Sequence, residues 1–271
     1  MPRSDVVSEL SFDAVVLASI ALADAIRDNK ALTDWPHGTS PMTIDDAYRI
    51  QDQTHKMLAR EQAGWKVGWT TRKLQEANGV SEPMSGRVPS ATVVPSGTTV
   101  REQRPANLKC EAELAFWLAY AMPPRVTPYS EQDLAAAIDL VCPAIEIVGS
   151  RFVDPRVAGR FGLVADNGAH AGLVLGEPIR AWHTVDRAAL TARLYVGDVG
   201  IAEGTGANVL GDPLTPCVWL ANWLSRRGEG LKAGDVITSG SFLGAPAVPT
   251  GSDVVADFGK YGRVAVRFVG P

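Results

Sequence analysis

Cysteine and histidine are both scarce in this sequence. Three cysteines, Cys110, Cys142 and Cys217, lie scattered among apolar neighbours along 271 residues. An odd, dispersed set offers no disulfide framework and reads as reduced core thiols of a cytoplasmic protein. The four histidines have no zinc-ligand spacing. Positive charge is also short: 26 Lys and Arg against 30 Asp and Glu leave a formal net charge of -4. That balance offers nucleic acid or an anionic membrane surface no attraction. No uncharged apolar run is long enough to span a bilayer. The first apolar segment contains Asp13 and Asp24, so it reads as an amphipathic helix rather than a signal peptide. There is no Walker loop, no paired-histidine zinc helix and no repeat at a solenoid period. Gly204-Thr205-Gly206 has Val209 where a dinucleotide fingerprint needs its third glycine, and the serines of 239–244 do not make a nucleophile elbow.

What is present is an ordinary globular composition, 46% hydrophobic and 21% charged. Apolar positions recur at helical spacing over 11–29, and Thr43-Ile44-Asp45-Asp46 resembles a capping box opening a second helix to about residue 61. At Gly64 the period changes, and 64–70 reads as a strand. A short helix over 72–78 ends at Gly79. Residues 83–105 are rich in Pro, Gly, Ser and Thr, with short strands near Val93 and Val100. A strand over 109–118, a helix over 131–140 and a strand over 142–148 follow. An Arg- and Gly-rich loop over 155–162 leads to a strand over 171–175 and a hairpin over 190–201. In the helix over 213–227, Leu214, Val218, Trp219, Leu220 and Trp223 share a broad apolar face, and strands over 235–239, 254–258 and 263–269 close the chain. The fold class is therefore α+β: a helical N-terminal segment over 1–63, then a β-rich domain with a few helices over 64–271.

The stretch that stands out is Lys109-Cys110-Glu111-Ala112-Glu113-Leu114. Alternate residues of a strand share a face, so Glu111 and Glu113 point the same way. The apolar run after them marks a buried strand. Two carboxylates there need a shared proton, basic partners or a hard divalent cation, unless they sit at a solvated strand end. Glu146 interrupts another core-like run, Ile145-Glu146-Ile147-Val148. Three acids could form the carboxylate side of an octahedral Mg2+ or Mn2+ site; alternatively, Glu146 pairs with an arginine such as Arg151. Lys66, between Trp65 and Val67, is either a desolvated proton-transfer lysine with a lowered pKa or an edge-strand lysine.

These residues resemble the hydratase/decarboxylase branch of the fumarylacetoacetate hydrolase superfamily, enzymes of aromatic meta-cleavage pathways. Ordered pieces carry the resemblance: Thr43-Ile44-Asp45-Asp46-Ala47-Tyr48 with Gln51; Lys66-Val67-Gly68; Lys109 to Glu113; Pro143 to Val148 with Ser150-Arg151; Ala165-Asp166-Asn167; Trp219-Leu220-Ala221-Asn222; and Ser239-Gly240-Ser241-Phe242. The resemblance implies a β-rich fold of the fumarylacetoacetate hydrolase type and a homo-oligomer. It implies Mg2+ or Mn2+ on Glu111, Glu113 and Glu146, holding a small-molecule 2-oxo acid. Catalysis would fall to Lys66, Ser150 and Asn167, and substrate binding to Arg151, Lys109 and Ser241. The implied reaction is hydration of a 2-hydroxy-2,4-dienoate or 2-oxo-enoate, as in a 2-keto-4-pentenoate or 2-oxo-hept-3-ene-1,7-dioate hydratase. Decarboxylation of a 2-oxo-enedioate of the 4-oxalocrotonate type and C–C hydrolysis of an acylpyruvate are the alternatives. A hydrolase should carry a water-activating His–acid pair, for which His37 is the candidate.

Two departures from the branch matter. Met84 stands where its hydratases carry an aspartate, and Gly149 where an aspartate precedes the Ser-Arg pair. They also raise a catalytically silent binding homologue. Arg156 and Arg160, in the glycine-rich stretch, are candidates for a lid that meets a distal carboxylate.

Overall fold

Side-chain caps start both N-terminal helices, α1 (Phe12–Arg27) and α2 (Ile44–Leu58). Thr43 Oγ1 accepts the Asp46 N–H at 3.0 Å while the Asp46 carboxylate accepts the Thr43 N–H at 3.2 Å, so the capping box forms as its sequence suggests. The second helix stops at Leu58, short of 61, because Ala59 turns left-handed at φ 48°. The computed structural model describes residues 9–101 and 108–270.

Strand β1 (Gln62–Gly68) leads to α3 (Arg72–Asn78), which Thr71 caps and left-handed Gly79 ends. Next come β2 (Met84–Pro89), β3 (Val93–Pro95), β4 (Thr98–Arg101) and β5 (Lys109–Leu118). Helix α4 (Glu131–Ala137) precedes β6 (Ile138–Val148), then α5 (Pro155–Ala165), β7 (His170–Leu175), β8 (Thr191–Val196) and β9 (Val199–Thr205). Helix α6 (Leu214–Arg226), β10 (Val236–Thr238), β11 (Asp253–Asp257) and β12 (Arg263–Val269) complete the order.

Three elements depart from the sequence reading. Residues 138–140, expected to end a helix, instead open β6 and pair with the last residues of β5. Strand β2 lies inside the stretch read as irregular and pairs with β1 along its length. The expected loop over 155–162 is α5, capped by Asp154 with Pro155 in its first turn and broken at Gly159 (φ 67°). That break hid the helical period. Arg156 points to its own cap Asp154, and Arg160 donates to the Asn78 carbonyl at 2.7 Å.

The larger sheet has the order β2-β1-β10-β5-β6-β7-β3; the smaller has β4-β12-β11-β8-β9. One face of β5 (Cys110, Ala112, Leu114, Phe116) enters the main core with Phe242, Phe258 and Phe268. Burial of each such phenylalanine contributes about 1.5–3 kcal/mol, which makes this face the stabilising one. The opposite face carries a small cluster of Val88, Ala115, Ala144, Leu173 and Val236, all fully buried. Glu111 and Glu113 alternate onto that second face. Asn167 bonds both ways to the Arg87 backbone of β2, at 2.6 and 2.8 Å, so the sheet curls until β2 meets the segment entering β7. A third cluster joins α1, α2 and α5 to Trp69, Met84 and Phe152 and walls this region. No described helix is long and apolar enough to cross a membrane.

Candidate metal centre

Antiparallel pairing of β5 with β6 sets Glu111 directly opposite Glu146, with Glu113 opposite Ala144. Two glutamates spaced by two on one strand thus meet a third from its neighbour. Glu113 and Glu146 are fully buried and Glu111 is half-buried. One oxygen from each lies within 4.8 Å of the others. Oxygens sharing one Mg2+ at about 2.1 Å stand roughly 3–4 Å apart, so small side-chain shifts bring all three onto a common ion.

The hydrogen bonding has a gap where a cation would fit. Glu113 Oε2 accepts the Gly240 N–H at 2.9 Å, but Glu113 Oε1 is buried with no hydrogen-bond partner. Glu146 Oε1 lies 2.9 Å from His170 Nδ1, while Glu146 Oε2 also lacks a hydrogen bond and faces Lys66 Nζ across 3.4 Å. Orphaned buried carboxylate oxygens are costly, and a hard oxygen-seeking ion removes that cost. Gly240 is required here: at φ +94°, a Cβ would stand 2.1 Å from Thr70 Oγ1.

Electrostatics point the same way. Burial, with the Glu146 charge, pushes Glu111 up to about 7. Burial and both neighbouring carboxylates push Glu113 well above the usual range. Burial would raise Glu146 too, but Lys66 and His170 outweigh it and hold Glu146 below its ordinary value. Burial lowers Lys66, yet the three carboxylates overcome that and raise it. The lowered lysine pKa expected from the sequence is therefore corrected: the acids keep Lys66 charged.

A pH dependence follows. A carboxyl raised on folding contributes stability below its unfolded value near 4.5 and loses it as pH climbs through about 7. The metal-free protein should weaken over that window, whereas a dication, which competes with the protons, should bind better. The rise in Tm produced by Mg2+ should therefore be small at pH 5.5 and grow to pH 8. Differential scanning calorimetry checks this, and a pH-independent increment would contradict it.

The family model described as fumarylacetoacetate (FAA) hydrolase C-terminal matches residues 55–269. The chain belongs to the fumarylacetoacetate hydrolase family. It is 32% identical over 246 residues to a 2-oxo-hept-4-ene-1,7-dioate hydratase of Escherichia coli, covering 87% of this chain and 89% of that one. It is 31% identical over 255 residues to a 2-keto-4-pentenoate hydratase of Paraburkholderia xenovorans, covering 93% of each. A solved 4-oxalocrotonate decarboxylase from Pseudomonas putida, complexed with calcium and acetate, superposes with a TM-score of 0.85 at 27% identity, over 96% of this chain and 99% of that one. The same decarboxylase was also solved with magnesium and adipate.

In this fumarylacetoacetate hydrolase-family chain, Lys66 lies on β1, between β2 and β10 rather than at a sheet edge. Its Nζ donates to the Gly168 carbonyl at 3.1 Å. Glu146 pairs with Lys66 and His170, not with Arg151. Arg151 is buried and clasps Asp166 through Nε and Nη2, while its Nη1 donates to the carbonyls of Gly149 (3.1 Å) and His170 (2.6 Å). Ser150 Oγ donates to Asp166 at 3.1 Å. Ser150, Arg151 and Asn167 are thus all engaged within the protein, forming the wall behind Lys66. Ser241 Oγ donates to the Gly244 carbonyl at 2.6 Å inside the turn after Gly240. Lys109 is exposed at the start of β5, two residues from Glu111. Met84 is buried, and a Cβ on Gly168 would meet both Met84 Cε and Lys66 Nζ within 3.0 Å, so the thioether borders the lysine.

A cavity of about 540 Å³ lies alongside, lined by residues of α2, β2 and β3 together with Arg151 and Asn167, and its lining does not include Glu111, Glu113 or Glu146. His170 borders it as well while also touching Glu146. Sequence reasoning missed His170, Thr238, whose buried hydroxyl makes no hydrogen bond, and the contact of Gly240 with Glu113. Their spacing carries no signal: register sets Thr238 beside Lys66 and brings His170 to the end of β6, and Gly240 reaches Glu113 from the turn after β10.

Proposed function

We propose that this chain is a divalent-metal-dependent hydro-lyase that adds water to a 2-hydroxy-2,4-dienoate or its 2-oxo-enoate form, resembling a 2-keto-4-pentenoate hydratase of aromatic-compound degradation. The observation that carries the reading is the trio Glu111, Glu113 and Glu146, with two buried oxygens that accept no hydrogen bond, one of them facing Lys66. These residues would hold Mg2+ or Mn2+. When bound, that cation supplies Lewis acidity for the adjacent oxygens of a 2-oxo acid. Lys66 holds a proton at Nζ beside the Gly168 carbonyl and can exchange it with the substrate. Ser150, Asn167 and Arg151 keep this wall rigid, and the buried face around them excludes bulk water. Lys109, at the exposed end of β5, is placed to attract a substrate carboxylate, with Ser241 in the turn beside Glu113. The protein is expected to be a cytoplasmic homo-oligomer.

One observation favours a second reading, decarboxylation of a 2-oxo-enedioate. Met84 places an apolar thioether, rather than an acid, next to Lys66. Acylpyruvate hydrolysis has less support. His37 lies in the loop before α2, and both ring nitrogens of His170 are engaged, by Glu146 and Thr92. His170 is therefore not a free base for water.

The test is to offer Mg2+-loaded protein 2-hydroxypenta-2,4-dienoate, a 2-oxo-hexenedioate and an acylpyruvate. Loss of dienol absorbance without CO2 release is the expected result. CO2 release from the enedioate would transfer the assignment to decarboxylase, and acid release from the acylpyruvate to hydrolase. Metal binding without turnover of any of the three would identify a silent homologue.

A further inference from the structure

His170 is one of four histidines, and its ring is almost wholly inside the protein. It sits at the start of β7, where the β6–β7 register slips between Ile147 and Val148, so Val148 faces His170. That irregularity swings the ring back to Glu146. Nδ1 stands 2.9 Å from Glu146 Oε1, and Nε2 stands 3.0 Å from Thr92 Oγ1. The backbone is pinned as well. The His170 carbonyl accepts from Arg151 Nη1 at 2.6 Å, and Arg151 is itself locked to buried Asp166. Ring and main chain are therefore both fixed, and the fixed ring meets one oxygen of one glutamate.

A carboxylate only accepts, so the proton between the two groups belongs on Nδ1. Nε2 meets Thr92 Oγ1, whose own proton goes to the Pro89 carbonyl at 2.7 Å, and this contact sets the plane of the ring. The consequence falls on the other oxygen. Oε2 of Glu146 is left without a hydrogen bond, facing Lys66 across 3.4 Å.

We propose that His170 is a positioning residue of the metal centre: through Nδ1–H it anchors Glu146 Oε1 and so presents Glu146 Oε2 as the ligand atom. This rests on the metal reading above. It assigns the histidine no contact with substrate or cation. Groups that orient a ligand in this way typically change metal affinity about 10–100-fold when removed.

Mn2+ and Mg2+ binding to the full chain should be measured by titration calorimetry for the unaltered protein and for His170→Ala, His170→Asn and His170→Gln, alongside Tm. His170→Ala should weaken binding about tenfold or more. His170→Asn should restore most of it, because the asparagine Nδ2 stands where Nδ1 stood; His170→Gln, whose amide reaches past that point, should not. Unchanged affinity in folded His170→Ala would overturn the proposal. So would affinity that follows Tm alone, with Asn no better than Gln. Should the variants fail to fold, the unaltered protein decides. Its buried His170 Nδ1–H resonance, in 15N-histidine-labelled protein, should shift when Mg2+ is added, and an unmoved resonance at saturating metal would overturn the assignment. Absence of metal binding by the unaltered protein would instead sink the metal reading itself.

Discussion

Glu113→Gln is expected to abolish tight divalent-cation binding without unfolding the protein. Glutamine keeps the length of the side chain and an acceptor for the Gly240 N–H, which Glu113 Oε2 takes at 2.9 Å. It removes the charge and puts an amide NH2, which has no lone pair for a cation, where Oε1 now stands without a hydrogen bond. Removing an outer partner of a ligand costs about 10–100-fold in metal affinity, so loss of a direct carboxylate should exceed about 100-fold. The metal-free variant should melt no lower than the unaltered protein. Its fully buried position no longer has to hold a group whose ionisation burial and two like charges oppose. Calorimetric titration with Mn2+ and a melting curve in chelator read the two effects separately. Unchanged affinity would remove Glu113 from the centre.

Lys66→Met should behave in the opposite way. Turnover should fall by about 10²–10⁴-fold, the usual range for losing a proton-transfer group. Cation affinity should hold or rise, because the only cationic side chain in contact with the acids, among the described residues, is gone. The metal-free protein should lose stability. Lys66 and Glu146 form a buried pair, and removing one partner of such a pair costs about 3–5 kcal/mol, less whatever protonation of the glutamate recovers. Added Mg2+ should return much of that loss. Steady-state rates at pH 8 and a Mg2+ titration decide it; undiminished turnover would end the role of Lys66 in proton transfer. The two variants together separate a ligand from a proton carrier, since each leaves intact what the other removes.

Much of this was legible along the chain. Glu111 and Glu113 share a face because a strand alternates, and the apolar run behind them marked burial. The Thr43 capping box and the Gly79 stop acted as local chemistry predicts, because those interactions span a few residues. Where the reading slipped, a distant partner had intervened. Residues 138–140 gave up a helix because β5 offered them a ladder. The helix α5 hid behind Gly159, whose φ of 67° interrupts its period.

The same division runs through the candidate site. Taken alone, the sequence determined which side chains are acidic, which strands they ride and that Glu111 and Glu113 share a face. It left open whether Glu146 pairs with Arg151, carried no trace of His170, and marked Gly240 only as part of a motif, without its partner. Only the tertiary structure decided those partners. Strand register and the curl of the sheet join residues 24 and 127 positions apart, and no short-range preference encodes such distances. Alternation is a property of one strand; coordination is a property of several, and it exists only once they are packed.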